Sequence, residues 1–234
     1  MGFCGGCDRE MRLGWRKPAG ATSSVDQSLS YYYLRVNPMP MFTDISQLDP
    51  DGYYTYQDYL TWKFPERVEL YKGKPFELSP APNRRHQRIS VTLTLQIGNQ
   101  IHGKGCELFT APFDVRLPIP NKKGKSDTVV QPDLCVVCDE SKLDKQGCNG
   151  APDLVVEILS PGNPKREIRE KYDLYEEAGV REYWVVYPNE DTVLVFVLNE
   201  ENKFIGLKPV TIEDELVSTI FPELKIDLGL VFKQ

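Results

Sequence analysis

The sequence has no surplus of basic residues, no long apolar run and no apolar segment at its N-terminus. Its 28 Lys and Arg residues are outnumbered by 34 Asp and Glu residues, which gives a net charge of -6 at pH 7. A protein that grips nucleic-acid phosphates usually shows a basic face, so this balance argues against strong non-specific binding. Without an apolar run of about eighteen residues we expect no membrane span, and without an apolar leader no secretory signal.

The six cysteines form no convincing metal site. Two pairs, Cys4 with Cys7 and Cys135 with Cys138, have the Cys-x-x-Cys spacing of a four-thiolate zinc site. However, Cys135 and Cys138 lie in an apolar strand, where residues three apart point to opposite faces and cannot converge on one tetrahedral ion. We therefore expect free cysteines that pack as small apolar side chains in a reducing cytoplasm. A zinc-dependent binding protein stays open as the weakest alternative.

The length of 234 residues suits one domain and a tail. Residues 1–40 lack sustained apolar periodicity and contain a stretch rich in Gly, Ser, Thr and Pro, which predicts a poorly ordered N-terminal leader. Patterned sequence begins shortly after, so residues 41–234 are predicted to form the single folded domain. Its strand, strand, helix, strand order indicates an α/β or α+β fold with a mixed central sheet flanked by helices.

Two apolar runs carry acidic residues. Asp133 begins the run QPDLCVV, and Asp153 and Glu157 lie in APDLVVEILS. Residues two and four apart share one face of a strand, and a strand this apolar on both faces is typical of a buried central position. A buried carboxylate is costly unless it is paired or binds a metal. Glu157 therefore needs a partner, and Asp133 can provide stabilisation only through a shared cation or proton.

The following segment supplies a cation. An amphipathic helix is predicted between Pro164 and Gly179, which suit its first turn and the position past its end. Lys171 falls in the middle of its apolar stripe, and a lysine is almost never buried unpaired. One interpretation is that Lys171 meets Asp133 and Glu157. The other is that its stem runs past the neighbouring tyrosines to water.

A second helix is predicted from the apolar residues Ile89, Leu93, Ile97 and Ile101, which recur every four positions. Asn83 is its candidate N-cap. Its first turns carry His86 and a basic patch of Arg84, Arg85 and Arg88. Basic charge is poorly placed at a helix N-terminus, which favours phosphate contact over a purely structural role. Three lysines in the turn NKKGKSDTV provide a further phosphate contact in this interpretation.

These segments together resemble a known family. The runs PDLCVV, GAPDLVVEILSP and KREIREKYDLYEEAGVREYWVV are similar to those of the Uma2 restriction-endonuclease family, a branch of the PD-(D/E)XK nuclease superfamily. The resemblance covers about residues 53 to 232. The superfamily motif would place lysine at position 159, which is Leu159 here. In this family the lysine lies on the following helix, where Lys171 stands, and Glu167 stands where the family usually has aspartate.

The resemblance implies a restriction-endonuclease-like core and a metal-dependent endonuclease acting on nucleic acid, most simply DNA. It implies that Asp133, Glu157 and Lys171 are catalytic, with Mg²⁺ or Mn²⁺ held by Asp133, Glu157 and the carbonyl of Ile158. His86 matches a histidine of the family and would line the substrate cleft. A cytoplasmic enzyme is expected, and a homodimer is left open because many nucleases dimerise to cut both strands.

Three acids are left without a firm role. Glu69 and Glu77 lie on the two arms of a hairpin predicted around Lys72 and Gly73. A comparable hairpin of the family carries a glutamate at the place of Glu69, but exposed strand glutamates are ordinary. Asp153 is either an additional metal carboxylate or a cap for backbone N–H groups. The rival to the enzyme is a non-catalytic module of the same fold that binds nucleic acid or protein, which the acidic composition favours.

Overall fold

The structure is a computed structural model that describes residues 42–78, 83–120, 127–160 and 165–233. All of these belong to one unit, residues 41–234. The leader of residues 1–40, Pro164 and the lysine-rich turn lie outside the described residues. Within the described part of the chain, no helix is long and apolar enough to cross a membrane.

Four α-helices are described. They are α1 Tyr56–Tyr59, α2 Arg84–Ile101, α3 Lys165–Ala178 and α4 Leu228–Phe232. The predicted cap of α2 is confirmed, since the side chain of Asn83 accepts the backbone N–H of His86. Thr55 caps α1 in the same way, by accepting the backbone N–H of Asp58. Helix α2 buries the predicted apolar face together with His86. Short 3-10 helices span Ile45–Gln47 and Glu140–Lys142.

The strands form three sheets. In chain order they are β1 Val68–Tyr71, β2 Lys74–Glu77, β3 Glu107–Thr110, β4 Val115–Arg116, β5 Val129–Val130, β6 Leu134–Val137, β7 Leu143–Asp144, β8 Gly147–Asn149, β9 Leu154–Ile158, β10 Glu182–Tyr187, β11 Thr192–Leu198, β12 Phe204–Gly206, β13 Val210–Thr211, β14 Glu215–Val217 and β15 Lys225–Asp227. The largest sheet has the order β12-β11-β10-β9-β6-β3, with β13 also on β11. A six-stranded sheet has the order β2-β1-β5-β4-β8-β7, and β14 pairs with β15.

The largest sheet is mixed and is covered on both faces, as predicted. β9 pairs parallel with β10 and antiparallel with β6, and all five of its residues are buried. Alternate residues of these strands enter different clusters: Leu154 and Val156 pack with residues of α2, and Val155 packs with residues of α3. The two helices therefore cover opposite faces of the sheet. A strand that is covered on both faces carries a continuous apolar run, and β9 is such a strand.

The cysteine prediction is right for one pair and wrong for another. Cys135 and Cys148 are free and buried, but Cys106 and Cys138 form a disulfide. The register explains this pairing. Glu107 lies opposite Val137, so the next residues outward, Cys106 and Cys138, face each other across the strand pair. The sequence interpretation considered only spacing along the chain and missed this partner 32 residues away.

Candidate active site

Asp133 and Glu157 lie side by side at one end of the largest sheet. Leu134 is opposite Val156 in the antiparallel pair of β6 and β9, and continuing this register by one residue sets Asp133 opposite Glu157. Asp133 precedes the first residue of β6, so its side chain lies beyond the end of the strand pair, where its Oδ2 accepts the backbone N–H of Ile158. Local folding thus brings together two acids that are 24 positions apart in the chain.

Glu157 is held from helix α3. Lys171 and Tyr175, one helical turn apart, both donate to Oε1 of Glu157, at 2.8 Å from Nζ and 2.6 Å from the hydroxyl. All three side chains are buried. Of the two interpretations of Lys171, the structure shows the buried pair and not a side chain that reaches water. A buried charge pair of this kind needs good geometry and further hydrogen bonds to offset its desolvation.

Glu69 is the residue that the sequence interpretation undervalued. It lies on β1, is completely buried and stands 3.6 Å from Nζ of Lys171. Its carboxylate also accepts the hydroxyl of Tyr71 at 2.5 Å and the backbone N–H of Gln131 at 2.6 Å. The expectation of an ordinary exposed glutamate is wrong for Glu69 and right for Glu77, which is exposed.

These charges perturb one another. Burial raises the pKa of Glu157, Lys171 lowers it, and the neighbouring carboxylates of Asp133 and Glu69 raise it. The net result is a pKa of about 7. Burial acts to lower the pKa of Lys171, but Glu157 and Glu69 more than offset it, so this pKa stands above its ordinary value. The pKa of Tyr175 is raised well above its usual range by burial and by Glu157. Lys171 is therefore a fixed cation, and Tyr175 remains a hydrogen-bond donor.

Asp133 is held from the other side of the sheet. Its Oδ2 accepts the backbone N–H of Ile158 at 2.8 Å and lies 3.2 Å from Nε2 of His86 on α2. Because a carboxylate oxygen only accepts, Nε2 of His86 is the donor. His86 Nδ1 is buried without a partner among the described residues. The structure thus places His86 against Asp133, where it orients the carboxylate.

Among the described residues, each carboxylate has one oxygen to which no protein group donates. Within the described ranges, hydrogen bonds to Asp133 all reach Oδ2 and those to Glu157 all reach Oε1. Oδ1 of Asp133 and Oε2 of Glu157 are the remaining acceptors. No cluster of three His, Cys, Asp or Glu side chains suited to a metal occurs in the described part of the chain. Two carboxylates still fit Mg²⁺, which takes one or two and keeps several waters.

The residues of the predicted basic patch differ in exposure and in their partners. Arg84 is exposed, and Arg85 pairs with Asp191 at 2.5 Å. Only His86 lines the groove of about 300 Å³ that contains Asp133, together with Arg67, Gln87 and Thr110. Arg88 is half-buried, and its Nε has no partner in the described structure.

Asp153 does not join the other acids. Its Oδ2 accepts the backbone N–H of Cys138 at 2.9 Å, and its Oδ1 lies 3.0 Å from Arg181. It precedes β9, whereas Glu157 lies near the other end of that strand. The backbone-capping interpretation therefore describes its contacts.

Comparison with known proteins identifies the family of this chain. The family model Uma2, described as "Putative restriction endonuclease", matches residues 56–229. The chain belongs to the Uma2 family. The match confirms the resemblance seen in the sequence and includes every residue of the site described above.

Two further proteins are similar to this Uma2 chain. An uncharacterized protein of Synechocystis sp. is 25% identical over 154 residues, which cover 64% of this chain and 77% of that protein. The crystal structure of a "putative nuclease" of the group DUF820 from Anabaena variabilis matches with a TM-score of 0.59 and 21% identity. The match covers 76% of this chain and 97% of the Anabaena chain. The restriction-endonuclease-like fold predicted from the sequence is thereby confirmed.

Proposed function

We propose that this Uma2 chain is a Mg²⁺- or Mn²⁺-dependent endonuclease that hydrolyses phosphodiester bonds of DNA. The observation that carries the proposal is the array of Asp133, Glu157 and Lys171, with one open oxygen on each acid and the ammonium 2.8 Å from Glu157. Membership of the family described as restriction endonucleases supports a nuclease. The metal and the choice of DNA are the parts that the proposal adds.

The site residues have different roles in the proposed reaction. Asp133 and Glu157 would hold the cation, with the carbonyl of Ile158 as a further ligand by resemblance. When bound, a divalent ion polarises a phosphate and lowers the pKa of water. His86 and Tyr175 hold the two carboxylates in place, as partners of metal ligands commonly do. The fixed ammonium of Lys171 stabilises negative charge that develops on the phosphate, without reorganisation during the reaction.

A non-catalytic binding module is the second candidate. The net charge of -6 favours it, because the enzyme must attract a polyanion. The array of buried charges argues for the enzyme, since a fold that only binds has no need to bury Lys171 among three carboxylates at a cost in desolvation.

A cleavage assay distinguishes the two candidates. The full chain is incubated with end-labelled single-stranded and duplex DNA and RNA, with Mg²⁺, with Mn²⁺ and with EDTA. We expect DNA cleavage that requires the metal and disappears in Glu157→Gln, and cuts in both strands would indicate a dimer. Equal cleavage by wild type and Glu157→Gln, or no cleavage of any substrate, would contradict the proposal.

A further inference from the structure

A second groove, of about 340 Å³, lies next to the one that contains Asp133. We call it the aromatic groove and define it by Tyr59, Trp62, Phe64, Arg67 and Gln131. Arg67 lines both grooves, and Pro112 of the aromatic groove follows Ala111 of the other. The volume lies in the lower part of the range for small-molecule sites, about 300–1,000 Å³. A ligand in the aromatic groove would therefore be an immediate neighbour of a phosphate at Asp133.

Three aromatic side chains, Tyr59, Trp62 and Phe64, line this groove. Trp62 stands 5.5 Å from Tyr59 and 5.3 Å from Phe64 between ring centroids. Trp62 also belongs to a core cluster with Val68 and Leu70, whereas Tyr59 and Phe64 are only partly buried against that cluster. Packing therefore accounts for one side of the rings and leaves the side that lines the groove. Aromatic side chains on which bases stack, beside a cationic groove, are the usual means of holding single-stranded nucleic acid.

A small polar network borders the rings. Arg67 reaches Oε1 of Gln131 at 3.4 Å, and Gln131 donates to the Tyr59 hydroxyl at 3.2 Å. Gln131 and Tyr59 both also donate to Asp114, so this network fixes the side chains beside the rings. The remaining guanidinium N–H groups of Arg67 are donors for a base edge.

The charge of the groove selects the kind of ligand. One cation, Arg67, is accompanied by one acid, Glu66. A groove with this balance suits an uncharged flat ring better than a second phosphate. On these grounds we infer that the aromatic groove is a subsite for one unpaired nucleobase, adjacent to the phosphate held at Asp133. This inference rests on the proposed function and names its substrate class, nucleic acid with an unpaired nucleotide beside the cleaved bond.

The test compares two single strands of equal charge, with and without bases, and a duplex. Binding of the full chain to a labelled single strand, to an abasic strand of the same length and to a blunt duplex is measured by fluorescence anisotropy in EDTA, where no cleavage occurs. We expect the single strand to bind about 10-fold or more tightly than the abasic strand, as stacking of a base predicts. Equal affinity for these two strands would overturn the subsite, because charge alone would then explain binding.

Variants locate the effect. Phe64→Ala should weaken binding of the single strand about 10-fold and leave the affinity for the abasic strand unchanged. If Phe64→Ala folds poorly, Phe64→Leu, which retains an apolar side chain of similar size, should show the same effects. Phe221→Ala is the matched control, since Phe221 is a half-buried phenylalanine of another cluster. Equal binding by the Phe64 and Phe221 variants would overturn the subsite.

The same variants separate the subsite from the proposed nuclease. Cleavage of duplex DNA by Phe64→Ala at the wild-type rate, without preference for a single strand, would overturn the subsite and leave the nuclease in place. Binding of a single strand that depends on Phe64, without cleavage of any nucleic acid, would support the subsite and overturn the nuclease.

Discussion

Two buried glutamates on neighbouring strands of the same sheet have opposite surroundings. Glu182 on β10 is completely buried, and both of its oxygens accept hydrogen bonds. Its donors are all uncharged: the indole of Trp184, the hydroxyl of Ser218 and the backbone N–H groups of Thr219 and Ile220. Glu157 on β9 has two donors on a single oxygen, and one of them is the ammonium of Lys171.

The difference separates a structural acid from a functional one. Glu182 is satisfied by neutral groups and thereby fastens residues 218–220 to the sheet. Glu157 shares a cation with Glu69, stands opposite Asp133 and retains an open oxygen. That oxygen lies where a metal and a phosphate are proposed to bind.

The largest expected effect concerns the cation that distinguishes the two acids. Lys171→Met retains the apolar stem and removes the charge, so cleavage should fall by about 100-fold or more, the scale of one preorganised electrostatic group. The carboxylates then repel one another, and Mg²⁺ should raise the melting temperature of the variant more than that of wild type. Cleavage rates and melts with and without Mg²⁺ measure both effects. A variant that cuts at the wild-type rate would return α3 to a structural role.

The structural acid should show the reverse behaviour. Glu182→Gln replaces an acceptor oxygen by a donor in a buried site surrounded by donors. The free energy of unfolding should therefore fall by about 1–3 kcal/mol. The rate of cleavage by the folded fraction should not change. Urea unfolding and cleavage at a temperature below the transition check the two parts. Wild-type stability combined with reduced cleavage would remove the contrast between Glu182 and Glu157.

A smaller effect is expected at His86. If it orients Asp133, His86→Ala should lower kcat about 10-fold, within the range of about 10–100-fold for partners of metal ligands, with KM little changed. His102→Ala, which changes the exposed histidine at the other end of α2, is the control. If KM rises and kcat is preserved, His86 contacts substrate and not Asp133, as the sequence first suggested.

The last expected effect is on the pH dependence of stability. Because burial raises the pKa of Glu157 from 4.5 to about 7, the folded chain holds this proton over a range where the unfolded chain has released it. Folding then binds a proton, so the contribution of Glu157 to stability falls as pH rises from about 4.5 to about 7, by at most about 1.4 kcal/mol per pH unit.

Unfolding of wild type and of Glu157→Gln in EDTA, compared across this range, isolates the contribution of Glu157. The stability of wild type relative to the variant should decline with rising pH. A difference between the two chains that does not vary with pH would show that Glu157 is ionised throughout.

Patterns within one element were readable from the sequence. The four-residue repeat gave the buried face of α2, and the two-sided apolar run gave the buried position of β9. Glu157 was found because an acid inside such a run is costly. The run VELY around Glu69 carries the same signal in a shorter form.

Contacts between distant segments were not readable. Gln131 meets Glu69 because β5 pairs with β1. Lys171, which is 102 positions further along the chain than Glu69, meets it because β1 lies near α3. His86 was expected at the substrate because its sequence neighbours are basic. Its position against Asp133 depends on how α2 packs over the sheet, which no local pattern specifies.

The most direct test of the account is a calorimetric titration with Mn²⁺, without substrate, of wild type, Glu157→Gln and Glu182→Gln. If the open oxygens of Asp133 and Glu157 hold the cation, wild type and Glu182→Gln should bind one ion per chain with equal affinity. Glu157→Gln should lose this binding. Equal binding of Mn²⁺ by all three chains, or by none of them, would contradict the central claim that these two carboxylates form a metal site.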